Sequence, residues 1–176
     1  MAPETTPAAE PSPALERYRA PIQSLVRDII HHGGFRLDFK IRPGEPAGDF
    51  EAPEWVVDFS GADAGLLLEA HAELLNAIEY VVLRAARVEE SLFPKIAFDC
   101  EHCRRLRIEE LRLMAQVAAD RVRDLGVPFP LGPMNARERR VVHLALHGRP
   151  EVRTESEGQG PERRVVIHPA STPARR

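Results

Sequence analysis

Cysteine is almost missing from this chain: 176 residues hold two, Cys100 and Cys103. Two thiols three positions apart cannot build a disulfide framework, which agrees with a reducing compartment. Lysine is equally scarce. Lys40 and Lys95 are the only ones, so nearly all the positive charge is arginine. Its planar fork bonds phosphate bidentately, although an arginine-rich chain also follows from a GC-rich genome. Aromatic residues make up 6%, too few for a platform on which bases stack. No run approaches eighteen apolar residues, so membrane insertion is not expected. Met1 to Ala14 has neither a basic start nor an apolar stretch, which argues against a secretory signal and for a cytoplasmic chain. Gly-x-Ser-x-Gly and a Walker-type phosphate loop are also lacking. No catalytic grouping, metal or cofactor is therefore expected.

What is present is unevenly distributed charge. The net is -3, yet from Gly126 onward nine arginines face five acidic residues, net +4, and the residues before it carry -7. The basic end is the candidate for a polyanion. Within it, Asn135 to His147 (N-A-R-E-R-R-V-V-H-L-A-L-H) reads as a helix with Asn135 as N-cap and Val141, Val142, Leu144 and Leu146 as core residues. Arg139 and His143 stand four apart on one helix face, where guanidinium and imidazole can both donate to one phosphate. The same spacing arises often by chance on a solvated face. Arg137 and Arg140 flank the pair.

Upstream, Met1 to Ala14 is rich in Pro, Ala and Glu and is expected to be a disordered tail. Leu15 to His32 is amphipathic, with Pro21 suggesting that the regular helix begins only there and Gly33-Gly34 ending it. Phe35 to Arg42 alternates apolar and charged residues at a period of two, and Trp55 to Phe59 is its hairpin partner across a long loop, Pro43 to Pro53. Ala62 to Leu68 and Glu73 to Arg87 are helical in pattern, and Phe93 to Phe98 is a third strand. Glu101 to Leu125 is a long helix with Leu106, Leu111, Met114, Val117, Ala118, Val122 and Leu125 as its buried stripe. Val127 to Pro133 is a proline-stiffened connection. After Gly148 and Pro150 come two short strands, Glu151 to Thr154 and Arg163 to His168, and the last residues read as tail. Strands bunched with helices on one face make an α+β plan.

Two stretches carry a resemblance. P-M-N-A-R-E-R-R-V-V-H-L-A-L at Pro133 to Leu146, and E-S-E-G-Q-G-P-E-R-R-V-V-I-H-P at Glu155 to Pro169, closely resemble the R-three-H (Arg-x-x-x-His) domain of the bacterial Jag family. L-L-L-E-A-H-A-E-L-L-N-A-I-E-Y-V-V at Leu66 to Val82 is similar to the segment in which that family's type II K-homology (KH) domain joins two helices by a Gly-x-x-Gly loop. The resemblance implies a KH-like domain at 15–125, a three-stranded sheet with helices on one face. It is followed by a small R-three-H α/β domain at 126–169, between tails at 1–14 and 170–176. It further implies a non-enzymatic, single-stranded nucleic acid binder, with RNA as the partner, and a regulatory role in cell-envelope growth or division and small-RNA handling. Arg139, His143, Arg137, Arg140, Arg163 and Arg164 are the binding residues so implied, with one of the last two contributing because strand neighbours point to opposite faces.

This chain departs from the family pattern at Glu69-Ala70-His71-Ala72, where neither glycine is present. Glu69 and Ala72 are good helix formers, which lets the two helices run together, and Glu69 meets phosphate with like charge. The KH groove is thus expected to bind RNA weakly or not at all. A rival reading makes this module a scaffold that holds a protein partner, a second KH protein or another copy of the chain. Cys100-Glu101-His102-Cys103 is read as structural first, with thiol redox chemistry and a metal half-site as lesser alternatives.

Overall fold

The computed structural model describes residues 12–46 and 50–170, and the chain divides into two compact units, Met1–Arg104 and Arg105–Arg176. The expected tails lie mostly outside the described residues. In the first unit, α1 (Pro13–Gly33) starts with proline at its first turn and runs through Pro21, eight residues earlier than the proline suggested. An interior proline costs about 3 kcal/mol. Leu15, Tyr18, Ile22 and Val26 are all buried on one stripe spanning it, and each full burial is worth about 1.5–3 kcal/mol. The stripe outweighs the lost rung, so the helix continues.

Two strands follow, β1 (Leu37–Pro43) and β2 (Trp55–Gly61), paired antiparallel from Leu37 opposite Gly61 to Pro43 opposite Trp55. This is the hairpin with a long connection that the alternation predicts. β2 also pairs parallel with β3 (Ile96–Cys100), giving the order β1-β2-β3. A parallel neighbour needs a long crossover, and the helical residues Ala64–Ala85 and a 3-10 turn, Glu90–Lys95, supply it. The expected strand start at Phe93 therefore moves to Ile96. Pro94 belongs to the turn. All five residues of β3 are buried, Asp99 among them. Asp99 Oδ1 accepts from the amides of Cys100 and Arg104, at 2.9 and 3.2 Å. Buried Glu79 accepts from the Phe98 amide and from Arg104 Nη1, both at 3.1 Å. Arg104 also bonds both oxygens of Glu51 at 2.9 Å, so one guanidinium is shared by Glu79 and Glu51 while backbone amides satisfy Asp99.

The crossover, α2 (Ala64–Ala85), is two helical arms. Glu69 is extended (φ -62°, ψ 153°), and Ala70, His71 and Ala72 are left-handed, with φ of 48°, 60° and 60°. The arms do not run together as the helix-forming residues here allow. Leu67 on the first arm and Leu75, Ile78, Val82 and Leu83 on the second are buried in the same core, and only a tight break between them lets both arms pack. That packing overrides local preference.

The second unit begins inside the long helix, α3 (Cys103–Leu125), where the sequence placed the boundary after Leu125. The buried stripe of α3 is Ile108, Leu111, Ala115, Ala118, Ala119 and Val122. Leu106, Val117 and Leu125, expected inside, are 67%, 70% and 59% exposed. Leu111, Ala118 and Val122 of the expected stripe are buried, and Ala115 and Ala119 complete the seam, small residues that a reading keyed to large apolar ones passes over. The proline-rich connection is a strand, β4 (Phe129–Pro133). It sits at an edge of the sheet β4-β6-β5, with a register shift between Pro130 and Pro133, the positions where proline's missing amide is tolerated. After α4 (Ala136–Leu146) come β5 (Val152–Glu157) and β6 (Arg164–Pro169), antiparallel, with a 3-10 turn at Gly160–Glu162 between them. β5 thus extends three residues beyond its expected end at Thr154. No helix among the described residues is long and apolar enough to cross a membrane.

The left-handed break generates a stability prediction. Within a helix, Ala→Gly costs about 1 kcal/mol; at a left-handed position the strain removed, about 1–2 kcal/mol per residue, exceeds the entropic cost of glycine. Ala70→Gly and Ala72→Gly are each expected to raise the unfolding free energy by roughly 0.5–1 kcal/mol, read as a higher urea midpoint at unchanged slope. A loss of about 1 kcal/mol on either would mean a continuous helix.

Candidate nucleic-acid interface

Helix α4 begins with a reciprocal cap. Asn135 Oδ1 accepts from the Glu138 amide at 3.0 Å, and Glu138 Oε2 accepts from the Asn135 amide at 2.9 Å, which satisfies two amides that helix geometry leaves unpaired. The other Glu138 oxygen accepts from Arg107 Nε of α3 at 2.7 Å. So begun, the helix buries Val141, Val142 and Leu146 and packs against β5 and β6. Leu144, expected in the core, is only half-buried.

His143 meets the strand. Its Nδ1 is 2.6 Å from Thr154 Oγ1 and its Nε2 is 3.0 Å from Ser156 Oγ. Val152, Thr154 and Ser156 alternate with exposed Arg153, Glu155 and Glu157 along β5, so one face of the strand presents both hydroxyls to α4. Burial, and then the charge of Arg139, push the imidazole below its ordinary value. The ring is neutral at pH 7. It donates from one nitrogen and accepts at the other, and a hydroxyl can fill either role. This differs from the sequence expectation in one respect: the imidazole has no nitrogen left to donate to a phosphate.

The charge comes instead from a pair of arginines. Arg139 Nη1 donates to the Met134 carbonyl at 2.9 Å, while the Met134 amide donates to the Arg163 carbonyl at 3.1 Å. Met134 thus fixes the Arg139 guanidinium through its carbonyl and the Arg163 backbone through its amide. Burial, and then the nearby charge of Arg163, lower the Arg139 guanidinium from its ordinary value. Neighbouring arginines find carboxylates: Arg107 on Glu138, Arg149 on Asp120 and Glu151, Arg153 on Glu155. Among the described residues Arg139 and Arg163 have no such partner. Two like charges so placed are relieved by an anion.

The other expected residues fall differently. Arg137 is half-buried in the first turn of α4, and Arg140 is exposed with no ion pair among the described residues. Arg164 pairs with Glu157 in the β5–β6 register, which puts it on the face away from Thr154 and Ser156. Arg163, just before the strand, is the one whose charge reaches Arg139. Glu69, Ala70, His71 and Ala72 belong to the other unit, where Glu69, Ala70 and His71 are exposed. Thr154, Ser156 and Met134 were not singled out from sequence. The period-two run Val152-Arg153-Thr154-Glu155-Ser156 was a usable signal for the first two, whereas the Met134 contact is backbone and leaves none.

The thiols are held in their protonated form. Burial pushes Cys100 up to about 11 and Cys103 up to about 12, and the Cys103 thiol donates to Asp99 Oδ1 at 3.3 Å. Both stay protonated at neutral pH, which removes the basis for thiolate redox chemistry.

Comparison with known proteins places the same unit. Residues 109–169 match the family described as the R-three-H domain. The RNA-binding protein KhpB of Clostridium symbiosum is 32% identical over 114 residues, 65% of this chain and 51% of that protein. KhpB of Bacillus subtilis (strain 168) is 31% identical over 110 residues, 61% and 53% of the two chains. KhpB of Lactiplantibacillus plantarum is 28% identical over 119 residues, 68% and 37%. The matched regions therefore span about half the length of the first two relatives and less of the third.

The imidazole environment has a measurable consequence. NMR titration of His143 is expected to give a midpoint below the ordinary 6.5, moving upward in Arg139→Gln as one of the two causes is removed. Because the folded value is depressed, this histidine's contribution to stability is complete above the unfolded value, near 6.5, and is lost as pH falls through the folded one. A midpoint at or above 6.5 would contradict the neutral clamp.

Proposed function

We propose that the second unit binds the backbone of single-stranded RNA through the guanidinium groups of Arg139 and Arg163, with Arg137 and Arg140 extending the surface. The carrying observation is that the Arg139 guanidinium, held on the Met134 carbonyl, lies within the field of the Arg163 charge, and neither has a carboxylate partner among the described residues. His143 is a positioning residue in this reading, fixing the Arg139 face of α4 against β5. The R-three-H match over the same residues and the RNA-binding names of the relatives support it. Arg164 is the weaker member of the expected set.

The first unit is read as KH-like. Its order of helix, strand, strand, broken helix and strand supports that assignment, as does the break at Glu69–Ala72. The break keeps a loop where the family has one but fills it with Cβ atoms and a carboxylate, so phosphate approaches it poorly. Tyr80 and Val81 on α2, 58% and 53% exposed, favour the second reading for this unit, a surface that holds a protein partner, either a second KH protein or another copy. The regulatory role in cell-envelope growth or division rests on the resemblance alone.

Titration of the full chain with single-stranded RNA at several salt concentrations tests the proposal. Each phosphate contact contributes about 0.7 to the slope of log affinity against log salt. Arg139→Ala with Arg163→Ala is expected to lower the slope by about 1.4 and to weaken binding by roughly tenfold or more per arginine. Glu69→Gly with Ala72→Gly is expected to raise affinity. Binding unchanged by the arginine pair would place the site elsewhere.

A further inference from the structure

The sheet face that α4 does not use carries an unassigned group of side chains. The β5–β6 register sets Arg153 opposite His168, Glu155 opposite Val166 and Glu157 opposite Arg164. Cross-strand partners share a face, so Glu155, Glu157 and His168 project together, opposite Thr154 and Ser156. One ligand atom from each lies within 4.8 Å of the others. His168 Nε2 is 3.3 Å from Glu157 Oε1 and 3.8 Å from Glu155 Oε2.

That nitrogen is shielded from solvent and makes no hydrogen bond. The nearer oxygen is within reach but off the ring nitrogen's donor axis. An ordinary histidine–carboxylate pair would put the N–H on the oxygen, since a buried ring nitrogen left unpaired is costly. A shared cation asks for the observed arrangement instead: the ion on the ring axis, with the carboxylates flanking it. With bonds of about 2.0–2.2 Å at tetrahedral angles, donor atoms sit about 3.3–3.5 Å apart. His168 Nε2 stands at 3.3 and 3.8 Å from the two carboxylates, close to that spacing already.

We propose that Glu155, Glu157 and His168 form a binding site for a divalent transition metal of the zinc class. An imidazole beside two carboxylates suits a borderline ion, whereas magnesium and calcium prefer all-oxygen shells. Entry is open, because the Glu155 and Glu157 side chains are 51% and 47% exposed while His168 is 17% exposed. The second oxygen of Glu155 is engaged by Arg153, an exposed and therefore weak pair that does not compete with a divalent ion. Bound metal neutralises two acidic side chains and pins β5 to β6. The same stretch of β5 holds His143 through Thr154 and Ser156 on its other face, so the ion would stiffen the strand beneath the arginine pair. The site itself stands independently of nucleic-acid binding.

Cobalt(II) titration of the full chain, followed by visible absorption and by zinc competition, tests the site. One equivalent is expected to give the intense bands of a low-symmetry site, which zinc then removes. Zinc is also expected to raise the thermal midpoint by mass action. Glu155→Gln with Glu157→Gln changes only exposed side chains, and is expected to weaken cobalt binding roughly a hundredfold or more while circular dichroism stays unchanged. His168→Gln is expected to do the same, and Cys103→Ser to leave binding intact. Absence of saturable binding at millimolar cobalt, or binding that survives the double glutamine variant, would overturn the proposal.

Discussion

Two hydroxyls on one strand hold the imidazole of His143, and the organisation of the second unit's basic surface depends on that clamp. The ring is caught between Thr154 and Ser156, so α4 cannot rotate or slide on β5 without breaking both contacts. Arg139 lies one helical turn from His143 and inherits this fixed orientation. Neutrality is part of the device. A protonated ring would donate from both nitrogens and add a third positive charge beside Arg139 and Arg163; burial and the arginine's own field keep the proton off.

The clamp also explains why an arginine and a histidine at this spacing have different roles. A helix face with two cationic donors would be a generic patch. Here the histidine spends its hydrogen bonds inside the unit, and Arg163, tied to Met134 by its backbone, puts a second cation near Arg139. The capping box at Asn135 and Glu138, anchored by Arg107, sets where the helix begins and hence which residues meet the strand. Charge at this site is concentrated because Glu138, Asp120, Glu151 and Glu155 are committed to Arg107, Arg149 and Arg153.

Much of this was legible in the residues. Asn135 as N-cap, the Arg139–His143 face and the strand alternation at Phe35 to Arg42 each follow from a local rule, and local rules hold where tertiary packing agrees with them. They failed where packing decided. Pro130 and Pro133 argued against a strand, but an edge position with a bulge removes the objection. Ala115 and Ala119 look like poor core candidates beside Leu106 and Val117, yet the buried seam uses the small residues. Glu69 to Ala72 has the composition of a helix, and the core on either side forces a left-handed break. The clamp joins residues more than ten positions apart, a pairing that no spacing rule reveals.

The most direct test follows the side chains themselves. With the full chain labelled at arginine Nε, titration with a short single-stranded RNA should shift the Arg139 and Arg163 side-chain signals together, with one saturation curve, while the backbone amides of Glu69 to Ala72 stay in place. Shifts confined to Glu69–Ala72, with both arginine signals unmoved, would contradict the account.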